Sequence, residues 1–457
     1  MAHTGRGWAV VAALALGCGG GSTDPPPVDG AVAAWDDVQT VPDTATPPAD
    51  TSTAPLDTGI ILPDRPAPAM DVAQPAPDRP APAMDVPAPP TDTGPARTDA
   101  TAPADAGTPQ EDCTRYPFSN ATLLAERVGY GRAATGGDPR RIYRVTTLSG
   151  DSTGSGSSGS LRRALESDEP WTIVFDVSGT ITHRTRVNVR ANKTVDGRGR
   201  DIHLRGELRL ANVRNVILSD IRLSNDLEGH CTQAGDVLNL TGSGTTDPAA
   251  FTTRDIWLHH VEVFNGGDGL VDIRGGSRVT ISWSHFHTHK KGMLFQRDSA
   301  DRETPGMRVT MHHNWFDRLS YRGPQLLHGR MHYFNNFQYQ WMYYGVGSLG
   351  GAQLLSEANV YEARNACTPS CRDENPCGDT EWFNDQTRAM VTEWDTNGVG
   401  NIRSVGDLFT NGARGMSRNP DTVWNPRDDY PYTAEPATTA LAERVRTQSG
   451  PRTRYCR

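Results

Sequence analysis

The stretch Val279-Thr-Ile-Ser-Trp-Ser-His-Phe286 returns as Val309-Thr-Met-His-His-Asn-Trp-Phe316. Both echo Val216-Ile-Leu-Ser-Asp-Ile-Arg-Leu223 and Ile256-Trp-Leu-His-His-Val-Glu-Val263. Shorter copies follow at Met331–Phe337 and Leu354–Tyr361, and the first five copies start 40, 23, 30 and 22 residues apart. Apolar and polar residues alternate within them, the period of a strand with one buried face. Strands this short, recurring near every 22 residues with insertions, predict the coils of a right-handed, single-stranded parallel β-helix, an all-β fold with long loops. One such unit cannot bury its own apolar face, whereas stacked units share a core. Few segments hold a 3.6-residue period long enough for a crossover helix, which argues against a doubly wound α/β fold. Ser160–Ser167 is expected to form a short helix capping the N-terminal end of the stack. Asn314, Asn335 and Asn359 each stand two residues before an aromatic in three consecutive copies. They read as a stacked amide ladder at one corner of the coil.

Outside the repeats the 457-residue chain changes character. Gly19–Asp112 holds 20 of the 33 prolines, and its 16 acidic residues against three arginines give it a net charge of −13 within a whole-chain −9. The decapeptide Pro-Asp-Arg-Pro-Ala-Pro-Ala-Met-Asp-Val occurs there twice, at 63–72 and 77–86. Such a stretch buries too little apolar surface to offset chain entropy and reads as an extended, self-repelling spacer. Upstream, Arg6, the apolar run Ala9–Leu16 and Leu14-Ala-Leu-Gly-Cys18 read as a lipoprotein-type export signal, with a lipid on Cys18 as the membrane attachment. The domain reading is a signal over 1–18, a spacer over 19–112 and a globular unit over 113–457. The last is mildly basic, about +3. No apolar run reaches transmembrane length, which excludes an integral helical membrane protein, and the charge excludes a strongly basic nucleic-acid binder. The expectation is a monomer that is secreted or held on the extracellular face of the outer membrane. There the six cysteines other than Cys18 (Cys113, Cys231, Cys367, Cys371, Cys377 and Cys456) are expected to form disulfides, with their pairing open.

The globular unit also carries an ordered set of motifs. Val128-Gly-Tyr-Gly-Arg-Ala-Ala-Thr-Gly-Gly137, Gly159-Ser-Leu-Arg162, Thr172–Ile181 and Asn192-Lys-Thr-Val-Asp-Gly-Arg-Gly199 come first. Asp268-Gly-Leu-Val-Asp272, Val279–Trp283, His289-Lys-Lys-Gly-Met-Leu294, Val309–Asn314, Arg322-Gly-Pro324 and His332–Asn336 follow. Together, over roughly Leu124 to Ala363, this order resembles the pectate lyases, polysaccharide lyase family 1. The resemblance implies cleavage of polygalacturonate by calcium-assisted β-elimination to unsaturated oligogalacturonides. Such a reaction removes the weakly acidic proton beside a uronate carboxylate and expels the glycosidic oxygen. It needs a cation on that carboxylate and a base facing the carbon. By the resemblance, Asp236, Asp268 and Asp272 match the family's calcium-binding positions, Lys291 its carboxylate-binding lysine, and Arg322 the arginine that takes the proton.

The residues themselves add two hints. Asp268 and Asp272 are an even number of positions apart, so one extended strand would turn both to the same face. Of 45 basic residues only Lys193, Lys290 and Lys291 are lysines, and two of them fall together in the matching motif. Two departures stand against the resemblance. Ala234 occupies the place of a family calcium carboxylate, and Leu327 that of a second substrate-binding arginine. These keep open a surface-tethered, non-catalytic polysaccharide-binding β-helix, or a lyase for pectin or another uronan. Nine of 13 histidines lie between His259 and His332, and His285, His287 and His289 alternate as strand ligands for zinc would. No metal-protease spacing with an acidic general base accompanies them, so calcium is preferred.

Overall fold

The computed structural model of the chain describes residues 119–150, 157–229, 235–244, 246–296, 305–363, 386–394 and 398–452. The signal, the spacer, all seven cysteines and Ala234 lie outside these residues, and with them the expected lipid anchor and disulfides.

The repeats stack as parallel coils. Val216, Ile256, Val279, Val309, Met331 and Leu354 are successive register partners in a ten-stranded parallel sheet. Each coil then turns into a nine-stranded sheet, and the return segments form an eight-stranded one. All three sheets are wholly parallel, and the apolar half of each alternating strand points into one continuous core. The corner between the first two sheets is a column of left-handed residues: Asp220, His260, Trp283, His313, Asn335 and Ala358, with φ between +49° and +57°. One αL residue per coil makes the sharp bend that keeps two consecutive strands in different sheets.

The amide ladder exists, but its middle rung is Asn336 rather than Asn335. Asn336 Oδ1 accepts from the Asn314 backbone N–H (3.0 Å) and side chain (2.9 Å), and Asn359 Oδ1 accepts from Asn336 in the same way at 2.8 and 3.0 Å. Asp407 Oδ1 takes the two Asn359 donors and ends the ladder. Asn335 occupies the αL corner instead and binds the backbone of Glu435.

The expected helix forms over Leu161–Glu166, N-capped by Ser160, and buries Leu161, Ala164 and Leu165 against the first coils. Terminal segments cover two of the outer faces. On the ten-stranded sheet the turn around Tyr130–Ala133 lies so close that a Cβ on Gly131 would sit 2.6 Å from the Ile256 carbonyl. This gives the Val128-Gly-Tyr-Gly-Arg motif its physical reason: only glycine permits the approach. On the nine-stranded sheet the helix Thr439–Gln448 packs Leu441, Ala442 and Val445 on Phe337 and Val360. The C-terminal region is thus more than loops: it adds one further coil, with strands at Met390–Val391, Asn401–Val405 and Leu408–Thr410, and then this helix. The chain finally runs back along the stack, and Arg452 pairs with Asp220 (2.8 Å) and Glu126 (3.0 Å).

Candidate active site

The residues singled out from sequence gather where successive coils enter the eight-stranded sheet. Leu238 pairs with Val271, and Val271 with Met293, so two positions upstream the register aligns Asp236, Gly269 and Lys291. The next coil follows, since the Gly292 N–H donates to the Tyr321 carbonyl (3.0 Å) and the Met293 N–H to that of Arg322 (2.6 Å). Glycine at 269 leaves room in this column, because a Cβ there would stand 2.7 Å from Asp236 Oδ1.

Asp268 and Asp272 do not share a strand face as their spacing suggested. The strand begins only at Val271, and Asp268 sits in the preceding turn, held by its N–H donating to the Gly235 carbonyl at 2.8 Å. The turn nevertheless delivers Asp268 to Lys291, whose Nζ donates to Asp268 Oδ1 at 2.5 Å. Asp272 is buried and accepts two bonds from Arg274, at 3.1 and 2.9 Å. With Asp268 drawn to Lys291, the three carboxylates do not close into a set of ligand atoms within 4.8 Å of one another.

The electrostatics show what this grouping costs. Burial, with Asp272, Asp268 and Glu207 nearby, pushes the Asp236 carboxyl well above the ordinary carboxylate range, against the pull of Arg274. Burial also raises Asp272, and Arg274 and Arg322 only partly offset it. The unfolded chain releases the Asp236 proton in the ordinary range, whereas the folded chain keeps it to higher pH. Between the two the folded state binds the extra proton, so in chelator stability falls as pH rises. Asp236→Asn should therefore raise the melting temperature of the metal-free protein at neutral pH and flatten that dependence. An unchanged or lowered melting temperature in differential scanning calorimetry would contradict the assignment.

Arg322 has a left-handed backbone, φ +58°. Its guanidinium carbon lies 5.1 Å from the Tyr321 ring centroid, and its Nε is buried without a hydrogen-bond partner. An ordinary surface ion pair is not what the described residues give it. Lys193 is different in kind: buried, it donates to the carbonyls of Ser167, Glu169 and Ala191, and burial lowers its pKa to about 8. It braces the fold.

Leu327 packs in an apolar cluster with Leu294, Leu349 and Trp394 on the same sheet. Sequence reasoning missed three supports. Arg274 clamps Asp272 from two residues on, a spacing that alternation would have flagged. Glu207 adds charge beside Asp236 from a neighbouring coil, and no local pattern announces it. His289 is fully buried, its Nε2 donating to the Gly266 carbonyl (3.0 Å) and its Nδ1 accepting from the Lys291 N–H (3.0 Å). It therefore holds the Lys291 backbone and does not join His285 and His287.

Known proteins share both pattern and architecture. The pectate lyase family model matches residues 175–453. A pectate lyase of Zinnia elegans is 31% identical over 326 residues, 67% of this chain and 76% of its own. One from Nicotiana tabacum is 32% identical over 246 residues, 52% and 62% of the two chains. Among solved structures, the major allergen of cedar pollen superposes with a TM-score of 0.56 at 23% identity, covering 74% of this chain and 97% of its own. A pectate lyase of Bacillus sp. N165 in complex with trigalacturonate gives 0.51 at 21% identity, covering 71% and 98%. With the family model spanning most of the coil stack and the same parallel β-helix recurring in these structures, the chain belongs to the pectate lyase family of polysaccharide lyases.

Proposed function

We propose that this protein cleaves polygalacturonate by calcium-assisted β-elimination, leaving unsaturated oligogalacturonides. The observation that carries the reading is the meeting of Asp236, Asp268 and Asp272 with Lys291 and an Arg322 whose Nε lacks a partner. The donor chemistry of the acid cluster suits calcium, and closing it on one ion would require Asp268 to leave Lys291: the side-chain donors are carboxylate oxygens, they repel one another without a cation, and Gly269 leaves Asp236 the space to take part. When bound, the ion would draw charge from the uronate carboxylate and so acidify the neighbouring C–H. Lys291, on a backbone pinned by His289, supplies a point charge to that same carboxylate. Arg322 takes the proton. A guanidinium ordinarily stays protonated above pH 12, so this role requires the neutral form to be reached transiently beside neighbouring cations.

The proposal extends to the rest of the chain: export, a lipid on Cys18, the 19–112 spacer and a monomeric 113–457 unit working outside the cell. A second reading rests on Leu327. The buried apolar cluster it forms with Leu294, the register partner of Asp272, with Leu349 and with the half-buried Trp394 suits a uronan with some methyl-esterified carboxylates, and relative rates on polymers of graded esterification separate the two.

Calcium takes about 6–8 oxygen ligands, so three carboxylates leave positions for the substrate's own. Titration calorimetry should show calcium affinity rising when an oligogalacturonate is present, since each ligand then stabilises the other's complex. Tight calcium binding unaffected by the sugar would overturn the shared site.

A further inference from the structure

A second cluster lies on the nine-stranded sheet, away from the carboxylate column. Glu262 and His285 are register partners there, as are His287 and Asp317. Alternation along His285–His287 turns Phe286 into the core and both histidines to the outer face. Glu262, His285 and His287 each bring one ligand atom within 4.8 Å of the other two. His287 Nε2 stands 3.0 Å from Glu262 Oε1, and His285 Nδ1 stands 3.9 Å from the same oxygen. These values bracket the roughly 3.3 Å edge of a tetrahedron with bonds of about 2.0–2.1 Å to nitrogen and oxygen.

Each ring has a side-chain oxygen facing its outer nitrogen. His287 Nδ1 lies 2.7 Å from Thr288 Oγ1, so with a metal in place of the proton that Nε2 shares with Glu262, Nδ1 would carry the ring proton and Thr288 would accept it. His285 Nε2 faces Asp317 Oδ2 at 3.8 Å, and Arg318 fixes that carboxylate with bonds of 2.8 and 3.0 Å. A carboxylate or hydroxyl behind a ligating imidazole sets its tautomer and raises its basicity. His285 is 5% exposed, stacked between His287 and Trp315 at 4.3 and 4.0 Å, and neither of its ring nitrogens has a hydrogen-bond partner. A buried imidazole left this way is costly without a ligand. The C-terminal segment closes over the pair, Gly450 packing against the Cβ atoms of His285 and Glu262, while His287 remains partly open to solvent.

We propose that Glu262, His285 and His287 form a binding site for zinc or a similar divalent transition ion, separate from the carboxylate cluster. Two imidazoles and one carboxylate select a borderline metal, whereas the all-oxygen cluster around Asp236 selects a hard one. Of the alternating histidines, His285 and His287 belong to this site, and Glu262 from the neighbouring coil takes the place of His289.

The test uses the full chain after chelator treatment, titrated with zinc chloride in millimolar calcium, beside His287→Ala and Glu262→Gln. Calorimetry should find one equivalent fewer in each variant than in wild type, and zinc should raise the melting temperature of wild type by more than that of either variant. Lyase activity in calcium, unchanged in both variants, shows that the loss is not unfolding. Zinc uptake equal in wild type and either variant would overturn the site, and so would a wild type that takes up no zinc.

Discussion

Arg322→Lys is expected to slow elimination from polygalacturonate by about 10²–10⁴-fold, the usual worth of a positioned general base, while polymer affinity changes only a few-fold. Lysine keeps the positive charge but loses the planar fork and the reach of the buried Nε, so what disappears is an interaction of the transition state. Lys291→Ala should behave otherwise, weakening binding and turnover together, because a charge on the uronate carboxylate serves ground state and transition state alike. Steady-state kinetics on the purified variants make the comparison. An Arg322→Lys rate within a few-fold of wild type would refute the assigned base even with the β-helix intact.

The largest effect on stability is expected at Asn336. Its Nδ2 donates to the carbonyls of Met311 (3.0 Å) and Phe334 (3.1 Å) as well as to Asn359, and its Oδ1 receives both Asn314 donors. Asn336→Leu keeps the volume but leaves several of these groups buried and unsatisfied. Each costs roughly 1–3 kcal/mol, so a total near 3–5 kcal/mol is expected by denaturant unfolding. A loss below about 1 kcal/mol would mean that the ladder is incidental to stability.

That rung also shows where sequence reading slipped. Aligning the repeat copies on their aromatics places Phe337 opposite Phe316, yet the register pairs Phe316 with Gln338 and Trp315 with Phe337. Gln338 is buried inside, bonded to the Tyr333 hydroxyl at 3.1 Å, and Phe337 points outward beneath the helix Thr439–Gln448. A covering helix makes outer positions apolar and shifts the apparent phase by one residue, which moved the expected rung from Asn336 to Asn335. Where the core positions were apolar, as at Val216, Ile256, Val279 and Val309, the register was readable directly. The last coil escaped because a long insertion separates Leu354 from its partner Ile402.

The site was legible through ordered motifs more than through spacing. Asp268 meets the column from a turn rather than on a strand shared with Asp272, and the Glu207 and His289 supports depend on neighbours that a single strand does not reveal. Arg322 looked like any surface arginine by composition. Its buried, partnerless Nε sets it apart only once the coils are stacked.

Elimination by this protein should depend on the carboxylate cluster. Its most direct measurement is the ultraviolet absorbance of unsaturated product during incubation of the protein with polygalacturonate, in calcium and in chelator. A steady rise is expected with calcium, none in chelator, and recovery when calcium is restored. A flat trace in calcium from folded protein that still binds the polymer would contradict it and leave a β-helix that holds the polysaccharide without cutting it.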